Sequence, residues 1–310
     1  MIKQTILITG CAGFIGSHAV DHFLKKGYQV VGIDCFTYAG KVGNIQHHYE
    51  NPNFKLFNID ICSKENILEI CRMRKVEWII NFAAETHVDN SIKQSNNFIH
   101  SNFNGVHALL EVCRQTGVKI FQISTDEVYG SIAEGAFQED DKLDPRNPYS
   151  ATKAAAEHLV RSYTNTYGIS HIIVRPSNNF GPRQHDEKFL PTILKKINKK
   201  EKIPVYGDGS NVRDWLFVKD NVTAIEFLLR NGKINETYNV TAKNEMKNLD
   251  LLNGVCDICD IDPNGYISFV EDRLGHDFRY SISNEKLLSL GFNEFSDFRS
   301  SLAETISFFD

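Results

Sequence analysis

Along most of the chain, short runs rich in Val, Ile and Phe alternate with longer segments whose apolar residues recur at helical spacing. A run that is apolar at nearly every position suits a strand buried on both faces, whereas recurrence every three to four residues suits a helix with one buried side. The runs at 4–9 (QTILIT), 29–34 (QVVGID), 53–59, 77–83 (EWIINFA), 119–124 (KIFQIS) and 170–176 (SHIIVRP) predict six strands. Segments 14–26 and 64–74 predict short crossover helices, and 98–116 and 149–167 longer ones. Ile99, Phe103, Val106, Leu110 and Cys113 fall on one face of the third. Strands and helices in this alternation make a doubly wound parallel sheet of the α/β class.

After Pro176 the texture changes to turn-rich stretches (SNNFGPRQHDEK, YGDGSNVRDW) around a helix at 187–199, followed by a helix at 219–231, a strand at 236–240 and a mixed tail from 244. The simplest division is a large domain of residues 1–176 plus 214–240 and a smaller α/β substrate-binding cap of residues 177–213 plus 241–310. Ligands of open α/β sheets lie outside the carboxyl ends of the strands, so a cap there would enclose a cleft.

Composition then removes several classes of function. With 310 residues, 42% hydrophobic and 24% charged, the chain can bury an ample core, and long disorder is excluded. A net charge of −5 gives no general attraction for polyanions. The densest basic run, Lys195 to Lys202, is broken by Ile197 and Asn198 and reads as a solvated helix face, so no nucleic-acid partner is expected. No stretch approaches the ~20 apolar residues of a bilayer span, which argues against a membrane partner. The first residues lack an apolar region with a cleavage site, and the seven scattered cysteines favour reduced thiols; both lead to the expectation of a cytoplasmic protein. Cys256 and Cys259 form one CxxC, but no second pair stands at zinc-ligand spacing, and no metal is expected.

Gly10-Cys11-Ala12-Gly13-Phe14-Ile15-Gly16 follows the first strand and opens the first helix. That context suits a pyrophosphate, because glycines let backbone N–H groups approach it and the helix N-terminus attracts it. The domain is thus of Rossmann type, although the glycine spacing is GxxGxxG and a plain tight turn is the rival reading. Asp34 ends the second strand where a carboxylate can bond adenosine ribose hydroxyls, and it would repel a 2′-phosphate. NAD is therefore expected in preference to NADP. Asp60 and Ile61, closing the third strand, are the next candidates for contact with adenine.

Tyr149 and Lys153 in YSATK stand at i, i+4 on one helical face. A free phenol is a poor base near neutrality, but Lys153 and a positive nicotinamide would favour the phenolate, which could take the proton of a sugar hydroxyl. The fifth strand ends in Ser124-Thr125-Asp126-Glu127-Val128-Tyr129-Gly130. Two adjacent carboxylates at the edge of a buried sheet are costly unless one is protonated or both are hydrogen-bonded, which suggests an acid and base pair; two acids in a solvated loop is the alternative.

The motifs GCAGFIGS, DCFTYAG, NFAAETHVDNSI, STDEVYG, YSATK, RPSNNFGPRQ, EKFLP, YGDGSNVRDWLFVKDN and DRLGHDFRY cover roughly residues 1 to 283. Together they resemble the extended short-chain dehydrogenase/reductases, and within these the nucleoside-diphosphate-glucose 4,6-dehydratases of the dTDP-glucose or UDP-glucose type. Sugar 4-epimerases of the same fold resemble SSAAVYG where this chain has TDEVYG. The resemblance implies that Tyr149, Thr125 and Lys153 serve oxidation at C4, that Glu127 takes the C5 proton, and that Asp126 protonates the departing C6 hydroxyl. It implies NAD along Gly10, Gly13, Phe14, Ile15, Gly16, Asp34, Asp60, Ile61, Ala83 and Ala84, with Tyr149 and Lys153 beside the nicotinamide. For the nucleotide sugar it implies Thr86, His87, Asn179, Arg213, Arg273 and His276. Asn90, Leu274 and Phe278 depart from the residues more often seen in the family. The helices at 98–116 and 149–167 resemble those through which family members form homodimers. A 4-epimerase and a non-catalytic NAD-binding sensor are the rival functions, and the choice between thymidine and uridine stays open.

Overall fold

Six apolar runs become the strands β1 (Thr5–Thr9), β2 (Gln29–Asp34), β3 (Phe54–Asn58), β4 (Trp78–Asn81), β5 (Lys119–Ile123) and β6 (His171–Pro176), in a computed structural model that describes residues 4–272 and 276–309. The cap adds β7 (Asn178–Phe180), β8 (Ile203–Tyr206) and β9 (Val212–Phe217). After these come β10 (Glu236–Val240), β11 (Glu245–Lys247) and β12 (Ile267–Val270). The main sheet has seven strands in the order β10-β6-β5-β4-β1-β2-β3, and every pairing in it is parallel. Strand order reverses between β1 and β4, where a crevice opens at the carboxyl edge.

Both faces of the sheet are covered, as their unbroken apolar character requires. The longer helices are α1 (Phe14–Lys25), α2 (Lys64–Arg74), α5 (Gly105–Thr116), α6 (Pro148–Tyr167), α7 (Phe189–Asn198), α8 (Val218–Asn231), α9 (Asn248–Ile258) and α11 (Phe298–Phe309). Shorter ones are α3 (Val88–Lys93), α4 (Asn96–Phe98) and α10 (Glu285–Ser289). One core packs Ala19, Val20 and Phe23 of α1 and Val222, Ile225 and Leu228 of α8 against the sheet. A second, on the opposite face, gathers Ile67 and Ile70 of α2, Val106, Leu109 and Leu110 of α5, and Ala156 and Val160 of α6. The cap has its own core, with Leu190, Ile193 and Leu194 of α7 against Leu251, Leu252 and Val255 of α9. Cys256 is buried in that core and Cys259 stands just past the end of α9. No pair among the seven cysteines is disulfide-bonded.

The division at 213/214 falls within β9. That strand pairs with β7 and β11 of the cap, while its Leu216 packs into the first core and its Trp215 and Phe217 into the third. Leu287 and Phe292, from the tail, also enter the first core. The helix expected at 98–116 is broken up: α4 passes through a π-helical stretch, Ile99–Asn104, into α5. The wider turn swings Asn102 inward. Its Oδ1 accepts the Glu85 N–H at 2.9 Å, and its Nδ2 donates to Glu85 O and to Thr152 Oγ1, both at 3.0 Å. The loop after β4 is thereby tied to α6. No helix among the described residues is long and apolar enough to cross a membrane.

Candidate active site

The carboxyl ends of β1, β2, β4, β5 and β6 face a cleft of about 630 Å³ roofed by the cap. At its floor, Gly10 takes a left-handed φ of +62°, and a Cβ there would lie 2.8 Å from Ala83 N. A Cβ on Gly16 would lie 2.0 Å from Gly10 O, so β1 and α1 approach as only glycine allows. Gly13 caps α1 without a side-chain hydrogen bond, leaving first-turn N–H groups available to an anion. Asp34 accepts N–H groups from Ala12 at 2.9 Å and Phe36 at 2.8 Å, which aims its carboxylate along the turn. Burial pushes its pKa up.

β5 and α6 bring the reactive groups together. A capping box between Asn147 and Ser150, with Pro148 in the first turn, starts α6 one residue before Tyr149. Lys153 follows one turn later and donates to Ile123 O at 2.5 Å. Thr125 extends from β5, hydrogen-bonds the Tyr149 phenol, donates to Asp126 Oδ1 at 3.2 Å and accepts the Glu127 N–H at 3.3 Å. Asp126, Tyr149 and Lys153 are 2%, 7% and 5% exposed. Burial, and then the neighbouring carboxylates of Glu127 and Asp214, push the pKa of Asp126 well above the usual carboxylate value, which favours its protonated form. Its Oδ2 is buried without a hydrogen-bond partner. Burial lowers the Lys153 ammonium to about 8 despite the carboxylate of Glu157.

The phenol differs from expectation. In the chain by itself, burial and then Glu127 push Tyr149 upward, outweighing the bond from Thr125. Making this phenol a base near neutrality therefore takes a positive ligand in addition to Lys153.

Of the residues singled out from sequence, Gly10, Gly13, Phe14, Ile15, Gly16, Asp34, Ala83, Ala84, Thr86, His87, Thr125, Asp126, Glu127, Tyr149, Lys153, Asn179, Arg213 and His276 all line this cleft. Asp60 and Ile61 do not line it. The Asp60 carboxylate accepts the Cys62 N–H at 2.7 Å and lies 3.1 Å from His100 Nε2, while Ile61 is packed in the second core. Asn90 is exposed outside the cleft, its N–H bonded to His87 Nδ1 at 3.3 Å. Arg273 and Leu274 lie outside the described residues.

Arg213 is held differently from a free phosphate anchor. Its guanidinium donates to Val212 O at 2.7 Å, Phe278 O at 3.3 Å and Asp277 O at 2.9 Å, and sits 4.3 Å over the Tyr280 ring. His276 Nδ1 is 2.5 Å from Asp272 Oδ1. Glu85, Lys188 and Tyr280 are among the further residues that line the cleft. Lys188 reaches across to Thr86 O at 3.0 Å, and the Tyr280 hydroxyl donates to Asp277 at 2.8 Å. Glu85 and Lys188 lie within the stretches NFAAETHVDNSI and EKFLP, but only the meeting of distant segments places them in the cleft.

Ser124 Oγ, Ser177 Oγ and Trp215 Nε1 are buried in the cleft wall without partners, as groups awaiting a polar ligand would be. With the glycine turn and the Asp34 carboxylate, they fit a dinucleotide lying along the floor with its reactive ring toward Tyr149.

The family model described as GDP-mannose 4,6 dehydratase matches residues 7–304. The low-salt glycan biosynthesis protein Agl12 of Haloferax volcanii is 42% identical over 306 residues, spanning 98% of both chains. The dTDP-glucose 4,6-dehydratase of Salmonella typhimurium is 37% identical over 332 residues, 98% of this chain and 92% of that one. The crystal structure of DesIV, the dTDP-glucose 4,6-dehydratase from Streptomyces venezuelae, with NAD and TYD bound, has a TM-score of 0.95 at 36% identity and covers 99% of this chain and 97% of that one.

Proposed function

The chain belongs to the GDP-mannose 4,6-dehydratase family, and from that premise we propose that it converts a nucleoside-diphosphate glucose to the 4-keto-6-deoxy sugar with NAD as cofactor. The observation that carries this reading is the buried Asp126, its pKa pushed up, beside Glu127 and within the same cleft as Tyr149, Thr125 and Lys153. A 4-epimerase leaves the C6 hydroxyl of its sugar in place, so an acid and base pair for expelling it would have no task there.

Gly10, Gly13, Gly16 and Asp34 would hold NAD, which would supply a reversible hydride acceptor, so that C4 is oxidised and C6 reduced with no net oxidation. Tyr149 takes the C4 hydroxyl proton, aided by the Thr125 hydroxyl and the charged Lys153. The resulting ketone acidifies the C5 proton, which Glu127 removes. Asp126 gives its proton to the C6 hydroxyl, which leaves as water, and a proton then returns to C5. The raised pKa of Asp126 suits it to give a proton. Thr86, His87, Asn179, Arg213, Arg273 and His276 are proposed to hold the nucleotide sugar, and the two-part division into sheet domain and cap to form the cleft around it. A homodimer through α5 and α6 in the cytoplasm completes the reading; exposed Ile99 and Tyr167 on that face, and seven cysteines without a disulfide, support it.

Incubation with dTDP-glucose and UDP-glucose in parallel tests the activity. The product is lighter than its substrate by one water and absorbs in alkali as a keto sugar. Recovery of both substrates unchanged or merely epimerised overturns the proposal. Asp34→Ala tests the cofactor assignment. Hydrogen bonds to a charged group contribute about 1.5–3 kcal/mol, so the ratio of NAD to NADP affinity falls about tenfold or more. A titration giving an unchanged ratio removes Asp34 from the ribose.

A further inference from the structure

A polar cluster outside the cleft has no part in the dehydration. α1 contributes Asp21, and the 3₁₀ turn Gln46–His48 contributes two adjacent histidines. His47 Nε2 and His48 Nε2 lie 3.0 and 2.6 Å from the same oxygen, Asp21 Oδ1, with ring centroids 4.0 Å apart. The three donor atoms all fall within 4.8 Å of one another. Arg183 Nη2 occupies the other carboxylate oxygen at 2.5 Å.

We propose that Asp21, His47 and His48 form a binding site for a divalent transition-metal ion of the zinc class. Ligand atoms about 2.0–2.1 Å from a tetrahedral ion stand about 3.3 Å from one another, so from 3.0 and 2.6 Å the two histidine nitrogens would move away from the carboxylate oxygen by about 0.3 and 0.7 Å. Moving each imidazole proton to Nδ1 turns both Nε2 lone pairs inward. Two imidazoles and one carboxylate suit zinc, nickel or copper rather than magnesium or calcium. Arg183 orients the carboxylate as outer groups do at metal sites, and its charge weakens the affinity. His47, about half exposed, leaves an entry path and a fourth position for water.

The other group of candidate ligands makes a useful contrast. His100 there turns Nδ1 toward Cys62 at 3.8 Å and Nε2 toward Asp60 at 3.1 Å, so its two nitrogens serve different neighbours. At Asp21 both rings present the same nitrogen to one point.

An ion at this point ties α1 to the segment after β2. That segment grips the glycine turn, since Lys41 N and Asn44 Nδ2 both donate to Ala12 O, at 3.1 and 2.9 Å. The ion therefore stiffens the floor of the cleft from behind.

Calorimetric titration of tag-free, chelator-treated protein with zinc chloride tests the site, with magnesium chloride as control. The expected result is one zinc ion per chain, binding at least tenfold weaker in His47→Ala and in His48→Ala, and no comparable binding of magnesium. NAD titration of each variant verifies that it is folded. Absence of stoichiometric zinc binding, or zinc bound equally well by the His47→Ala/His48→Ala double variant, overturns the proposal and leaves a hydrogen-bonded latch. The readout is independent of sugar turnover, so its failure and that of the dehydratase reading are distinct.

Discussion

Tyr149→Phe lowers dehydratase turnover by about 10²- to 10⁴-fold, the range for losing a positioned acid or base, equivalent to about 2.7–5.5 kcal/mol of barrier. The change removes one oxygen from a buried helix face whose capping box and apolar neighbours remain, so nucleotide-sugar binding should persist while kcat falls. Wild-type turnover should also show the state of Lys153. Its pKa is pushed down to about 8 by burial, so the ammonium is charged below that value and discharges as pH rises through it. The favourable charge beside the phenol is then lost, and kcat/KM of the wild type falls on the alkaline side. Steady-state kinetics across pH, with isothermal titration of the sugar nucleotide, check both statements. Normal turnover in the Phe variant takes Tyr149 out of the reaction.

Asp126→Asn and Glu127→Gln separate the second half of the reaction into its proton transfers. Asparagine is nearly isosteric with the protonated acid that burial and two neighbouring carboxylates favour at Asp126, but it has no acidic proton to give the leaving hydroxyl. Water loss therefore drops by about 10²-fold or more. Oxidation at C4 and removal of the C5 proton survive, and sugar nucleotide recovered from deuterated water carries deuterium at C5. In Glu127→Gln that base is missing, and both deuterium uptake and water loss fail. The wild-type acid has its own pH sign: Asp126 is protonated, and competent to donate, below its raised pKa and is lost as pH rises through it. Mass spectrometry of product and recovered substrate reads the two variants. Equal deuterium uptake in both would mean that the roles of the two carboxyls are wrongly divided.

Much of this protein is legible in local sequence, because the forces that specify it there are local. Apolar runs bounded by turns became β1 to β6 with ends displaced by a residue or two, and the glycine turn became the floor of the cleft because missing side chains are a property of the residues themselves. The i, i+4 spacing of Tyr149 and Lys153 needs only a helix. Asp126 is another matter: the sequence allowed either a solvated acid or a buried one. Its pKa is raised by burial, then by the adjacent Glu127 and by Asp214, a residue of β9 far along the chain.

The same reason governs what could not be read. β9 serves both cores because its two faces meet different neighbours, so a boundary drawn from texture cut through it. The π-helical turn before α5 follows from the need to bring Asn102 to Glu85 and Thr152, contacts across 17 and 50 residues. Asp60 and Ile61 adjoin a strand end as an adenine contact should, yet the packing of His100 and of the second core decides where they point. His47 and His48 carry no ligand spacing in the sequence, and their meeting with Asp21 exists only once α1 lies beside the segment after β2. Sequence by itself determined the elements, the cofactor turn and the identity of the reacting groups. Burial and charge, which depend on what distant segments bring near, decided which of those groups carry protons and which face the cleft.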